Sequence, residues 1–417
     1  MRRVYLDHAA TTPVDPRVKK AMLPFLEKEF GNPSALYRSG RVSKEALKSV
    51  REKVAHILNC LPDEIIFTGS GTESDALALL GVMRKAKKGH LITTAIEHHA
   101  VLYNAEALEK EGYDVTYVGV DKDGLVNPKD IASALRPDTM LVSTMYANNE
   151  IGTIEPITEI AKVIREFKRS LGRRPFEPPF FHTDACQAAG YLDLNIQKLG
   201  VDLMTINGSK IYGPKGTGLL YVRKGLPIIP LWRGGGQENK LRSGTENIAG
   251  IVGLGEALAF VEETKQKENA RLSKLRDYFI KGIMERVPKV VLNGHPRERL
   301  PNNVNVSILD IEGEALLLYL DHYGIEASTG SACDSLTLDP SHVILALGRP
   351  YEFAHASMRF TLGKSTTKED LNYVLDVLPV TVKLLRKISP VNLAIDAKQM
   401  SRVSAFVGDG LPHWERK

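Results

Sequence analysis

The chain is poor in cysteine: three residues in 417, Cys60, Cys186 and Cys333. They are too few and too unevenly spaced for a disulfide framework or a zinc knuckle, and they fit a reducing, cytoplasmic setting. Long apolar runs are missing too. No stretch approaches the roughly 18 apolar residues of a membrane span, and the opening "MRRVYLDHAATTP" reaches Asp7 and His8 before any apolar segment forms, so neither a secretory leader nor a membrane protein is expected. Charge of one sign is also scarce: 55 Lys and Arg stand against 50 Asp and Glu, a net +5 with no basic block. That argues against nucleic acid as a partner. Internal repeats and low-complexity tracts are absent.

What is present is an ordinary globular composition, 43% hydrophobic and 25% charged, on a chain too long for one compact core. From residue 43 short apolar strands alternate with helix-period segments. "SKEALKSVREKVAHIL", with Ser43 as its N-cap, precedes "EIIFT", "TESDALALLGVM", "HLITTA", "HAVLYNAEALEKEG" and "DVTYVGV". "MLVSTMYA", "TEIAKVIREFKR", "PFFHTDA", "LMTIN" and "GLLYVRK" continue the alternation, which predicts a mostly parallel sheet covered by helices on both faces. A long helical stretch beginning near "TENIAGIVGLGEA" follows. After it, "NNVNVSIL" and "ASMRFTLG" alternate with "GEALLLYLDHYG" and "KEDLNYVLDVL", the pattern of a smaller α+β domain. The expected division is a large domain over 13–258, a small domain made of 1–12 and 259–388, and a loosely held tail over 389–417.

Ligands of open α/β sheets bind beyond the carboxyl ends of the strands, and four such junctions carry chemistry. "FTGSGTESDA" is a glycine-rich strand-to-helix turn that would hold an anion such as phosphate on helix N–H groups, or would be no more than a tight turn; it is neither a Walker A loop nor a dinucleotide fingerprint. In "TAIEHHAV" the adjacent His98 and His99 point to different faces, which disfavours shared metal ligation and leaves His98 either a helix-start hydrogen-bonder or a functional group. "FFHTDACQ" puts His182, Asp184 and Cys186 on one strand face. Their spacing of about 7 Å is too wide for a metal site without other ligands, so no metal is expected. A carboxylate at the end of a buried strand calls for a cationic partner, for which a protonated ring nitrogen would serve. In "TINGSKIYGPKGTG", Lys210 follows a buried strand, where it would either snorkel to solvent or offer a free amine for Schiff-base chemistry. An anion site, a buried acid, an amine and a flat ring are together the protein parts of a pyridoxal phosphate enzyme.

The stretches "YLDHAATTPVDPRV", "FGNPSALYRSGR", "FTGSGTESDALAL", "EHHAVL", "NNEIGTI", "TDACQAAG", "GSKIYGPKGTG", "GGGQENKLRSGTENIAGIVGLGEA" and "STGSACDSLTLDPSHVILALG" resemble, in this order, the NifS/IscS-type cysteine desulfurases. The likeness runs from about residue 4 to about residue 388. It implies the aminotransferase-like fold of type I, with a mostly parallel seven-stranded sheet in the large domain, and a homodimer that takes sulfur from L-cysteine and releases L-alanine. It further implies pyridoxal 5'-phosphate held covalently by Lys210, with Asp184 on the pyridine nitrogen, His98 on the ring face and Gln187 at the ring oxygen. Gly71, Thr72, Asn207, Ser209 and a partner's Thr245 would hold the phosphate, and Asn149 and Arg359 the substrate carboxylate. The family usually shows Ser-x-His-Lys where this chain has Asn207-Gly208-Ser209-Lys210.

The implied chemistry needs a thiol to receive sulfur, and Cys333 is the candidate. Its neighbours Gly330, Ser331 and Ala332 are small, and the stretch from Asp334 to Pro340 is long enough for a mobile loop, as a carrier that receives sulfur in one place and delivers it in another requires. Cys60 reads as core at a helix end. Cys186 reads as packing, with a second thiol beside the cofactor as the alternative. The longer loop resembles the group that feeds iron–sulfur cluster assembly and tRNA thiolation through sulfur-acceptor or scaffold proteins. The rival readings are a selenocysteine lyase or another lyase on the same scaffold, and a non-catalytic sulfur carrier or assembly platform.

Overall fold

The computed structural model describes residues 2–329 and 340–389; Cys333 and the segment from 390 onward lie outside them. The chain opens with β1 (Val4–Tyr5), α1 (Pro16–Glu27) and α2 (Arg38–Leu58). It continues through β2 (Ile65–Thr68), α3 (Gly71–Ala86), β3 (His90–Thr94), α4 (His99–Lys110), β4 (Asp114–Val118), α5 (Pro128–Ala134) and β5 (Thr139–Ser143). Next come α6 (Ile157–Ser170), β6 (Phe180–Asp184), α7 (Ile196–Leu199), β7 (Leu203–Asn207), β8 (Gly218–Val222) and the 39-residue α8 (Ile248–Arg286). The last part holds β9 (Val290–Leu292), β10 (Asn303–Ile308), α9 (Gly313–His322), β11 (Ile325–Glu326) and β12 (Ser328–Thr329). It ends with α10 (His342–Ala346), α11 (Tyr351–His355), β13 (Ser357–Thr361) and α12 (Lys368–Ile388).

Seven strands form one sheet in the order β2-β8-β7-β6-β5-β3-β4. All run parallel except β8, which is antiparallel to both β2 and β7. Strand alternation sends successive side chains to opposite faces, and here both faces are covered. Ile66, Leu91, Leu141, Phe180, Leu203 and Leu220 pack with Leu77, Val82 and Val101 of α3 and α4. Their neighbours Ile65, Ile92, Val142, Phe181, Met204 and Leu219 pack on the other side with residues of α2, α6 and α8, among them Val54, Ile160 and Leu254. That is why these strands read as continuous apolar runs instead of alternating ones.

A four-stranded sheet, β12-β13-β10-β9, stands beside a two-stranded parallel pair, β1-β11. Helix α8 lies against α1 and α2 at its start and against β9, β10 and α12 later. Glycines let it approach closely: a Cβ on Gly253 would come within 2.7 Å of the Met22 sulfur, and one on Gly255 within 2.5 Å of Val50.

One helix start differs from the sequence expectation. Ser43 does not cap α2; the helix begins five residues earlier, at Arg38, and Ser43 is fully buried with its Oγ on the carbonyl of Glu29. A tertiary hydrogen bond takes the hydroxyl that local propensity assigned to a cap.

Candidate active site

The carboxyl ends of β2, β3, β5, β6 and β7 point to one side of the sheet, and the segments leaving them wall a cavity of about 220 Å³. Its lining includes Gly71, Thr72, His98, Asn149, Asp184, Gln187, Asn207, Lys210 and Arg359. Nine of the sequence-predicted site residues, far apart in the chain, are thus brought to one place.

At the end of β2 the chain turns through Gly69 and Ser70 into α3. The Ser70 side chain accepts from the N–H of Glu73, while Glu73 Oε2 accepts from Gly69 N at 2.7 Å. This fixes the turn, and the N–H groups of Gly71 and Thr72 have no acceptor within the helix. Gly71 is required by space: a Cβ there would stand 2.8 Å from Cys186 Sγ and 3.3 Å from Asn207 Cβ. Cys186 is buried, and burial, reinforced by the charge of Asp184, pushes its thiol well above the usual range. A neutral thiol beside a helix N-terminus leaves that positive end free for an anion.

Asp184 closes β6. Its Oδ1 accepts from the N–H of Cys186 at 2.8 Å, which orients a carboxylate only 7% exposed. Behind it, on the same strand face, the fully buried His182 is bonded through Nδ1 to Ser143 Oγ at 2.9 Å and through Nε2 to Thr205 Oγ1 at 3.1 Å. Burial lowers its pKa to about 4, so the ring is neutral. Asp75 also lines the cavity, 3.6 Å from His182 Nε2; burial first and the charge of Asp184 second hold its carboxyl well above the ordinary range. No group of three His, Cys, Asp or Glu among the described residues is arranged to hold a metal ion.

His98 is the N-cap of α4, its Nδ1 accepting from Ala100 N at 3.1 Å. That bond leaves the ring proton on Nε2, and burial keeps the imidazole neutral. The helix-start role and the place in the cavity wall therefore coincide in one side chain. His99 turns away and stacks on Tyr103 with ring centroids 4.8 Å apart.

Lys210 ends a short turn after β7 and extends its Nζ to the carbonyls of Ala9 and Ala10, at 2.8 and 2.5 Å. Gln187 Nε2 also donates to Ala9 O, at 2.9 Å, so the N-terminal segment is a wall of the site. Arg359, on β13 and 3% exposed, reaches the carbonyl of Asn149 at 3.1 Å and Asp7 Oδ1 at 3.0 Å, while its Nε is buried with no hydrogen-bond partner among the described residues.

Two predicted residues stand apart. Ser209 does not line the cavity; its N–H and hydroxyl both turn to Asn207 Oδ1 at 3.3 Å. Thr245 is exposed, outside the cavity of its own chain. Sequence reasoning missed Asp7, Ala9, Ala10 and Asp75 as members of the site. Asp75 was within reach of it, lying one helical turn after Gly71 and hence on the same face.

A sequence model described as aminotransferase class V matches residues 4–374. The chain belongs to the class-V aminotransferase family. It is 51% identical to cysteine desulfurase IscS of Dictyoglomus turgidum, over 93% of this chain and 97% of that one. Among solved structures, a NifS-like protein superposes with a TM-score of 0.85 at 36% identity, covering 92% of this chain and all of its own. A second, SspA in complex with cysteine, superposes at 0.74 with 35% identity, over 86% of this chain and 98% of its own.

The donor set of this class-V site fits pyridoxal phosphate. The α3 N-terminus and Asn207 suit the phosphate, and the Gly71 cradle keeps the space that a Cβ would fill. Asp184 suits a protonated ring nitrogen, and Lys210 supplies the amine.

Proposed function

We propose that the chain is a cysteine desulfurase that uses pyridoxal phosphate, converts L-cysteine to L-alanine and passes the sulfur on as a persulfide of Cys333. The observation that carries this is the convergence of the α3 N-terminus, Asp184, Lys210 and Arg359 on one cavity of about 220 Å³. The identity to cysteine desulfurase IscS and the likeness to a structure solved with cysteine support the choice of substrate.

When bound, the cofactor supplies a sink for the electron pair left at the substrate Cα. The chain does the rest. Gly71, Thr72 and Asn207 hold the phosphate, and Asp184 keeps the ring nitrogen protonated. Arg359, oriented by Asp7 and by the carbonyl of Asn149, binds the substrate carboxylate together with the Asn149 side chain. Lys210 Nζ, aimed by the carbonyls of Ala9 and Ala10, would hold the cofactor by its amine and would be the base placed to take the Cα proton. His98, a neutral imidazole in the cavity wall, would lie against the ring, and Gln187 would serve the ring oxygen. The thiolate of Cys333 attacks the substrate sulfur: an S–S bond forms, the substrate C–S bond breaks, and the carbon gains a proton to end as the alanine methyl group. Thiol and cysteine thus give persulfide and alanine with no outside oxidant, and a reductant or an acceptor protein then removes the sulfur.

The reading extends to a large domain over 13–258 with a small domain from 1–12 and 259–388, and to a cytoplasmic homodimer serving a sulfur-acceptor or iron–sulfur scaffold protein. Thr245, exposed in its own chain, supports a phosphate contact made across a dimer. No described helix is long and apolar enough to cross a membrane. The test is release of alanine and sulfide from L-cysteine with a thiol reductant, wild type beside Cys333→Ser. Equal amounts of both products from wild type and neither from the variant are expected. Full turnover by Cys333→Ser would refute the role of Cys333 and favour another lyase chemistry.

A further inference from the structure

Ser341 and His342 open α10 and lie eight and nine residues after Cys333 in sequence. Ser341 is 2% exposed and does two things with one hydroxyl: it caps α10 by accepting from Ile344 N at 3.1 Å, and it donates to Glu150 Oε2 at 2.5 Å. His342 donates from Nε2 to the carbonyl of Glu97 at 2.9 Å. Glu150 follows Asn149 and Glu97 precedes His98, so each bond ends on the chain neighbour of a cavity residue.

Neither attachment point is free to drift. The Glu150 carbonyl accepts from Asn303 Nδ2 at 3.0 Å and Asn305 Nδ2 at 3.1 Å, and its N–H donates to Asn148 Oδ1. Asn305 lies opposite Arg359 in the β10-β13 pair, and the Arg359 guanidinium holds the carbonyl of Asn149. The Glu97 carboxyl group is fixed by Thr94 Oγ1 at 2.7 Å and Met145 N at 2.9 Å, both on Oε1.

We propose that Ser341 and His342 are positioning residues, a two-point anchor that holds the start of α10 in register with the substrate-carboxylate and ring-facing sides of the cavity, through Glu150 and Glu97. The anchor rests on the desulfurase reading. Its work is to set where the chain leading back to Cys333 departs, and so how often that thiol meets the substrate sulfur. It does not bind the substrate.

The experiment is single-turnover sulfur transfer in the cofactor-loaded full chain without reductant. Persulfide on Cys333 is followed by alkylation and mass spectrometry, beside the steady-state KM for cysteine. Ser341→Ala/His342→Phe should slow persulfide formation about tenfold or more, as misplacement of a reacting group does, while KM stays within about twofold. Glu150→Gln, which keeps an acceptor oxygen, should transfer at a rate near wild type. If the double variant does not fold, His342→Phe alone should still slow the step about threefold. Unchanged transfer in Ser341→Ala/His342→Phe and in His342→Phe, with wild type active, would overturn the anchor alone, as would a KM rising in step with the loss of rate. Failure of the wild type to make alanine would overturn the desulfurase reading and the anchor with it.

Discussion

Gly71→Ala tests the anion site directly, because the clash it creates can be read from the structure. The new Cβ would lie 2.8 Å from Cys186 Sγ and 3.3 Å from Asn207 Cβ. Carbon and sulfur rest comfortably no closer than about 3.5 Å, so Cys186 or the first turn of α3 must move by more than half an ångström. Overpacking of this kind costs about 1 to 3 kcal/mol. Where the displaced group is the set of N–H donors for phosphate, that cost falls on cofactor binding, a loss of roughly fivefold to a hundredfold in affinity. Cys186→Ala in the same chain removes the sulfur and most of the clash, so the double variant should bind more tightly than Gly71→Ala alone, a non-additivity expected only of residues in contact. Titration of the apoprotein with pyridoxal phosphate, followed by visible absorbance, measures all four proteins. Binding by Gly71→Ala within twofold of wild type would refute the cradle, and a double variant no better than the single would refute the part played by Cys186.

Asp184→Asn keeps an oxygen for the N–H of Cys186 but cannot pair as an anion with a protonated ring nitrogen. Turnover should fall at least about a hundredfold while the purified protein keeps its cofactor absorbance, and near-normal turnover would argue against the assignment. A pH effect follows from Glu97, which burial lifts from 4.5 to about 8. Between those values the folded chain holds a proton that the unfolded chain has released, so its contribution to stability is lost as pH rises, on the order of 3 kcal/mol between pH 5 and 8. Urea unfolding of wild type and Glu97→Gln should therefore show a difference that changes by that amount across the range. A constant difference would mean that the carboxyl is ionised throughout.

The strands could be read from the sequence because β5, β6 and β7 are apolar on both faces, and a run such as "PFFHTDA" has few other ways to fold. For the same reason Asp184 and Lys210 stand out: a charged group at or just after the end of such a run has to sit at the carboxyl edge of the sheet, where ligands bind, whereas Asn207 is pointed to only by the family resemblance. Local pattern failed where a distant group overrides it. The Ser43 hydroxyl goes to Glu29 O instead of capping a helix, and Asp7 meets Arg359 across 352 positions of the chain. Nothing in the neighbourhood of either residue announces the other. Ala9 and Ala10 are further removed still from side-chain reasoning, since they act through backbone carbonyls that any residue would carry. What the N-terminal segment needs there is a fixed path, and Thr12 secures it by donating from N and Oγ1 to the carbonyl of Ser209, at 2.8 and 3.0 Å. The lysine and the carbonyls that aim it are therefore held by one seam. A change at Thr12 would disturb Lys210 without touching any group that reads as catalytic.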